Sequence, residues 1–279
     1  MKKYIISIVF MLGILIGLSV LLYPTVSDYF NSISQSRAVA RYFDNIAGMD
    51  DTKIQELLKQ AQEHNKKLLT RQDRFTFTEE ETAEYRKMLT TTRSVMGILN
   101  IDKINVSLPI YHGTDEGVLQ IGVGHMQGTS LPVGGAGTHA FITGHRGLPS
   151  SALLSELNKL EEGDLFVLYI LNETLTYQVD DIREVLPADI QAISIDPDAD
   201  YVTLVTCTPY GVNTHRLLVR GRRVENVKSS GWRTFLADAK LLDRPVVILI
   251  FLIPIAFPIL IIYAVVQCVK IRRKSKLSR

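Results

Sequence analysis

The stretch Thr203–Leu217, TLVTCTPYGVNTHRL, joins an apolar, β-branched run to a turn-rich segment and then to the start of a second apolar run. The first run is typical of a β-strand, and the Pro, Gly and Asn that follow are typical of a turn. Arg216 stands nine residues after Cys207 and opens the second strand-like run. We therefore expect two neighbouring strands that bring Cys207 and Arg216 side by side at one end of the sheet.

The same alternation of short apolar runs and turns continues along residues 96–225. Strands at this spacing, with Gly, Pro, Asn and Asp between them, predict a mainly β domain folded as a closed or nearly closed barrel. One amphipathic helix is expected inside it, because Leu153, Leu154, Leu157 and Leu160 form a single stripe. The strand-like runs read GILNI, VSLPIY, GVLQIGVGH, THAFITGH, DLFVLYIL, TLTYQV, IREVL, YVTLVTC and RLLVRGRRV.

A helical arm is predicted before the barrel, over residues 27–95. Apolar residues recur there at a spacing of about 3.6 among charged ones, as on one face of a helix. The segment at about 69–78, LTRQDRFTFT, interrupts this pattern and predicts a loop. Asp51 or Thr52 is expected to cap one helix, and Thr78, with Glu81 three residues later, to cap another.

Both ends of the chain carry long apolar runs, Ile5–Tyr23 and Pro245–Val269. A helix of about 20 apolar residues crosses a bilayer, and the basic residues of the tail favour the cytoplasm. We expect the barrel to lie outside the cell, with a cleaved signal as the alternative for the first run. The predicted segments are a signal-anchor or transmembrane segment at 1–26, a linker at 226–244, a transmembrane helix at 245–269 and a cytoplasmic tail at 270–279.

The composition narrows the functional classes. A net charge of +2 over 279 residues gives no indication of nucleic-acid binding. Of the two cysteines, Cys268 lies at the cytoplasmic end of the second apolar run, so Cys207 has no expected disulfide partner. A lone external thiol is either inert or a nucleophile, and the composition leaves both readings open.

A cysteine nucleophile needs a base or cation nearby and a group that stabilises the developing oxyanion. The fork of donors on Arg216 suits the oxyanion. For the base, the residues leave His145, in the segment TGHRG, and His215, which alternates in direction with Arg216. Scattered histidines give no metal-ligand spacing, no nucleotide-binding glycine pattern is present, and Ser151 lacks the context of a nucleophile. No cofactor is expected.

Two segments together resemble the class C sortases, the pilus-assembling cysteine transpeptidases of Gram-positive bacteria. They are TLVTCTPYGVNTHRLLVRGRR, with its TLxTC motif and following arginine, and TGHRGLPSSALLSELNKLEEGD upstream. The resemblance implies an eight-stranded sortase barrel and transpeptidation. Cys207 would attack the Thr–Gly carbonyl of an LPxTG-like sorting signal, His145 would protonate the departing amine, and Arg216 would hold the substrate and its oxyanion. The acyl group would then pass to a lysine of another pilin subunit.

The resemblance also implies a lid, because class C sortases carry an Asp-Pro-aromatic motif on the loop of the helical arm. Here the motif is Asp73-Arg74-Phe75, so Asp73 is expected to pair with Arg216 and Phe75 to cover Cys207. Arg74 replaces the proline, which removes a source of stiffness. The alternatives are a sortase that anchors proteins to peptidoglycan, a secreted hydrolytic thiol protease, and a surface adhesin with a chance thiol.

Overall fold

The computed structural model describes residues 2–91, 94–192 and 194–226. Four helices lie in these ranges: α1 Lys2–Ala47, α2 Asp51–Leu69, α3 Glu79–Tyr85 and α4 Glu116–Leu119. The strands are β1 Val95–Ile101, β2 Val106–His112, β3 Val123–His125, β4 Thr138–Thr143, β5 Leu165–Ile170, β6 Glu173–Val185, β7 Asp200–Thr208 and β8 His215–Arg223.

The eight strands close into a barrel in the order β1-β2-β3-β4-β7-β8-β6-β5, which confirms the predicted mainly β architecture. Two neighbouring pairs are parallel, β2 with β3 and β4 with β7, and the others are antiparallel. The runs TLTYQV and IREVL belong to the single strand β6, which has an irregular register between Val179 and Asp181.

Side chains on β4, β7 and β8 alternate between the barrel interior and an outer cluster. Ile142, Leu204 and Val219 are fully buried members of the main core. Their neighbours Phe141, Val205 and Leu218 pack together with Ile190 in a separate cluster. Because successive strand residues point to opposite faces, this second cluster lies on the outside of the barrel wall. We call it the outer cluster.

The helical arm is docked on the barrel. The apolar residues Ile54, Leu57, Leu58 and Ala61 of α2 belong to the main core. Asn65 exchanges two hydrogen bonds with the backbone of Leu131, of 2.9 and 2.7 Å.

The predicted capping box of Thr78 with Glu81 at the start of α3 is confirmed. The cap of α2 was predicted wrongly, since Asp50 and not Asp51 or Thr52 accepts the capping bond from the helix.

The leucine stripe does not form the predicted amphipathic helix. Residues 153–156 form turns, and only a 3-10 turn at Leu157–Lys159 follows. Leu153 has a positive φ of 39°, which a continuous helix does not permit. Leu153, Leu154, Leu157 and Leu160 are nevertheless buried. The spacing of the leucines therefore predicted their burial correctly. It predicted a helix incorrectly, because irregular turns can bury the same side chains.

At the N-terminal end, α1 runs without a break across the predicted boundary at residue 26. No helix within the described residues is long and apolar enough to cross a membrane, so the predicted first span is not supported. The transmembrane helix at 245–269 and the tail at 270–279 lie outside the described residues, as does the linker apart from its first residue.

A buried histidine joins the arm to the barrel. His125 Nε2 lies 2.8 Å from Ser130 O, and its Nδ1 lies 2.9 Å from the Tyr85 hydroxyl of α3. A carbonyl only accepts, so Nε2 carries the proton and Nδ1 accepts from Tyr85. Burial lowers the pKa of His125 to about 3. Its neutral form is therefore the one that holds α3 in place.

Acidification is predicted to destabilise the fold through His125. Its folded pKa of about 3 lies below the ordinary value of about 6.5, so its contribution is complete above pH 6.5 and is lost as the pH falls towards 3. As the pH falls from 7 to 5, we expect the contribution of His125 to the free energy of unfolding to fall by about 2 kcal/mol. Urea unfolding of wild type and His125→Leu at both pH values measures this difference. His215→Leu is the control, and an unchanged pH dependence in His125→Leu contradicts the assignment.

Candidate active site

The antiparallel pairing of β7 and β8 makes Cys207 and Arg216 direct Cα partners, as the sequence predicted. Cys207 is a free, partly exposed thiol near the end of β7, and Arg216 is the second residue of β8. The ladder sets the separation of the two backbones independently of the loop that joins the strands.

His145 reaches the same end of the barrel through the parallel pair β4 and β7. Thr143, the last residue of β4, is the Cα partner of Val205. The next residue, Gly144, donates its N–H to Val205 O at 3.0 Å, which is the last bond of this ladder. His145 follows Gly144 beyond the end of β4, and Cys207 lies two residues beyond Val205 on the neighbouring strand.

Strand alternation brings the side chains of Cys207 and Arg216 to one face. Phe141, Val205 and Leu218 belong to the outer cluster. Cys207 lies two residues beyond Val205 on β7, and Arg216 lies two residues before Leu218 on β8. With a period of two, both side chains project from the outer face of the barrel wall, next to the outer cluster.

A hydrogen bond next to the predicted nucleophile also links the two segments. Thr208, which follows Cys207, accepts a hydrogen bond from Arg146 Nη1 at 3.2 Å and donates one to Glu184 Oε1 at 3.1 Å. Arg146 directly follows the candidate histidine. The Gly144 backbone and the Arg146 side chain, which flank His145, are therefore both bonded to β7.

Glu116, which the sequence reasoning missed, lies beside the candidate histidine. His145 Nε2 is 3.3 Å from Glu116 Oε2, and the glutamate side chain remains 66% exposed. Glu116 is the first residue of the short helix α4. An acidic residue in the first turn of a helix is ordinary, so no local signal marked it.

The Arg216 side chain is partly anchored. Its Nη1 donates to Asn213 O and to His215 O, each at 3.1 Å. Within the described part of the chain, the other guanidinium donors bond to no protein acceptor and are available to a substrate. His215 lies 3.0 Å from the Thr214 hydroxyl and alternates in direction with Arg216. The assignment of the proton-transfer role to His145 rather than His215 stays a prediction.

The lid loop is held by Arg71. Its Nε donates to Asp73 O at 2.6 Å, its Nη1 donates to Glu81 Oε1 at 2.8 Å, and its Nη2 donates to Thr76 O. The Asp73 carboxylate also bonds within the loop, and hydrogen bonds from the Thr76 hydroxyl and the Phe75 N–H lower its pKa. The expected Asp73–Arg216 pair is absent from the ion pairs of the described residues, because both side chains have closer partners.

Phe75 packs on Gly128, in the connection between β3 and β4. A Cβ atom at Gly128 would lie 2.6 Å from the Phe75 ring and 2.4 Å from Arg74 O, so only glycine leaves room for the lid there. Gly128 also has a positive φ of 95°. Met126, two residues earlier, packs against the outer cluster, which places this part of the lid near the candidate site. That Phe75 covers Cys207 stays a prediction.

Arg74 lies on the same side of the barrel. Burial lowers the pKa of His139 on β4 to about 4, and the charges of Arg220 and Arg74 act in the same direction. His139 Nε2 is 2.7 Å from the Thr203 hydroxyl on β7. The charge of Arg74 therefore acts on a histidine of β4.

Comparison with known proteins gives consistent results. Residues 99–224 match the family model described as Sortase domain. The crystal structure of sortase C1 from Streptococcus agalactiae is 50% identical, with a TM-score of 0.66 over 68% of this chain and 100% of that one. Streptococcus pneumoniae sortase C is 41% identical, with a TM-score of 0.62 over 68% and 97% of the two chains. Sortase D of Bacillus subtilis is 31% identical over 48% of this chain, and the match spans 66% of that relative's length, just under two thirds.

The match to the family model and the similarity to solved sortase structures point to the same family. The chain belongs to the sortase family of cysteine transpeptidases, and its solved relatives place it with the class C sortases.

Proposed function

We propose that this sortase cleaves an LPxTG-like sorting signal between Thr and Gly and joins the threonine to a lysine amine of another pilin subunit. The observation that carries this proposal is the register of β7 and β8, which makes Cys207 and Arg216 Cα partners. It is supported by the parallel pairing of β4 with β7, since His145 follows two residues after the last paired residue of β4, Thr143. Pilin as the substrate rests on the similarity to Streptococcus pneumoniae sortase C, whose structure was discussed in terms of pilin substrate specificity.

The proposed reaction has two acyl transfers. The Cys207 sulfur bonds to the threonine carbonyl carbon, the Thr–Gly C–N bond breaks, and His145 gives a proton to the departing glycine amine. The lysine amine then attacks the thioester, a new C–N bond forms, and the sulfur leaves while the lysine proton passes to His145. Donors of Arg216 stabilise the carbonyl oxygen when it becomes negative in each step.

We also propose that the barrel works on the outside of the cell membrane of a Gram-positive bacterium. The proposal rests on the apolar run 245–269 and the basic residues after it, which favour a cytoplasmic tail. Pilin subunits secreted by the same cell would meet the enzyme there. Peptidoglycan anchoring is the alternative outcome, in which the acceptor amine belongs to the cell wall.

Cys207→Ala is predicted to abolish both the thioester and the covalent product, because no other group at the site can form the acyl-enzyme. Wild-type and variant enzymes are incubated with a sorting-signal protein and candidate acceptors, and the new bond is located by mass spectrometry. A Thr–lysine isopeptide to a second pilin supports the proposal. A bond to a peptidoglycan amine or release by water alone contradicts it, as does product formation by the variant.

Arg216→Lys is predicted to lower kcat/KM by about 10²-fold or more, since a point charge does not reproduce the donor fork on the oxyanion. Arg222→Lys, on the same strand but exposed, is the matched control and should retain wild-type turnover. Peptide-cleavage kinetics measure both. Near-normal turnover in Arg216→Lys removes the oxyanion role.

If the lid covers the thiol, Asp73→Ala combined with Phe75→Ala should raise the rate at which iodoacetamide alkylates Cys207 several-fold. The variant loses the hydrogen bonds of the Asp73 carboxylate and the contact of the Phe75 ring with Gly128, while the bonds from Arg71 to the loop carbonyls remain. Gly128→Ala should have the same effect without any change in the lid itself. Gln72→Ala, at an exposed lid position, is the control. Equal alkylation rates in all four proteins contradict the lid.

A further inference from the structure

Three hydrogen bonds connect helix α1 to the loop that follows His145. Ala152 N donates to Asp28 Oδ1 at 2.6 Å, Asn31 Nδ2 donates to Ser150 O at 2.6 Å, and Gln35 Nε2 donates to Ser151 Oγ at 3.1 Å. The partners are 116 to 124 residues apart in the chain. These contacts therefore belong to the tertiary fold and not to local turns.

The three helix residues form a single row. Asp28, Asn31 and Gln35 are spaced by three and four residues, which places them one above another on one face of α1. The contact with Gln35 is buried, since Gln35 is 9% exposed and Ser151 is 3% exposed. Buried polar groups are costly to leave unpaired, so this row holds the loop in one position.

The loop is also tied back to the residues around His145. Leu154 N donates to His145 O at 3.2 Å, and Gly147 N donates to Ser155 Oγ at 3.0 Å. The fully buried Leu154 packs so closely that a Cβ on Gly144, the residue before the histidine, would lie 2.8 Å from it. A shift of the loop is thereby transmitted to the backbone of His145.

We propose that Asp28, Asn31 and Gln35 are positioning residues, which fix His145 for proton transfer by holding residues 150–152 against α1. The inference rests on the proposed role of His145. His145 lies beyond the end of β4, where no strand pairing fixes it directly. A displacement of about 1 Å at a reacting group costs up to about 100-fold in rate, so a link that restrains the loop affects turnover more than substrate binding.

The test compares two substitutions that each change the charge by one unit. Asp28→Asn retains an oxygen that accepts from Ala152 N, so it should behave as wild type. Asn31→Asp removes the donor and places a carboxylate against Ser150 O, so kcat should fall between about tenfold and 100-fold with KM unchanged. Hydrogen exchange of residues 146–155 should rise only in Asn31→Asp, while alkylation of Cys207 stays at the wild-type rate. All variants are made in the full-length chain.

Ser32→Ala is the matched control on the same helix, because among the described residues the exposed Ser32 hydroxyl bonds only to Tyr29 O of α1. Wild-type exchange or wild-type kcat in Asn31→Asp overturns the positioning role. If Asn31→Asp does not fold, Asn31→Ala is used instead, because it removes the donor without adding charge. Wild-type exchange or wild-type kcat in that variant likewise overturns the positioning role. If the wild-type enzyme is inactive on every sorting peptide, the proposed function is contradicted instead. Hydrogen exchange in residues 146–155 still tests the contact with α1 in that case, because it needs no substrate.

Discussion

The register of the three neighbouring strands β4, β7 and β8 is the constraint on which the site depends. The antiparallel register of β7 and β8 pairs Cys207 with Arg216, and the parallel register of β4 with β7 brings the segment that follows Thr143 to the same end of the barrel. A slip of one residue in either pair would turn a functional side chain to the other face of the wall. The buried cores on both faces exclude such a slip, so hydrophobic packing stabilises the geometry that the chemistry needs.

The lid shows how a loop without the family's proline is held in shape. Arg74 stands where a ring would restrict the backbone, yet Arg71 donates to two carbonyls of the loop and to Glu81 of α3. Charge-assisted hydrogen bonds of this kind are stronger than neutral ones. The loop therefore has an internal framework that does not depend on contact with the site. The loop also packs closely on Gly128, where a residue larger than glycine would clash with it.

Much of the fold could be predicted from the sequence, because side chains on barrel strands alternate with a period of two. The proximity of Cys207 and Arg216 could be predicted because one short connection joins their strands. His145 came from the resemblance, since spacing alone also allowed His215. Glu116 and the row of Asp28, Asn31 and Gln35 could not be predicted. Their partners are distant in the chain and their residue types are ordinary on helices. The leucine stripe led to a wrong prediction of a helix, because the spacing of apolar residues indicates burial. Turns and helices can both bury residues at that spacing.

The loop between β7 and β8 is largely independent of the strands that it joins. Its own hydrogen bonds are local, from Val212 N and Asn213 N to Pro209 O, and Tyr210 and Val212 remain 63% and 65% exposed. Tyr210 also lies over Gly147, close to the histidine segment. The exposed side chains of this loop can therefore change while the β7–β8 ladder keeps Cys207 opposite Arg216, with Asn213 O, which Arg216 contacts, as a fixed point. A change in the surface beside the site needs no change in the barrel.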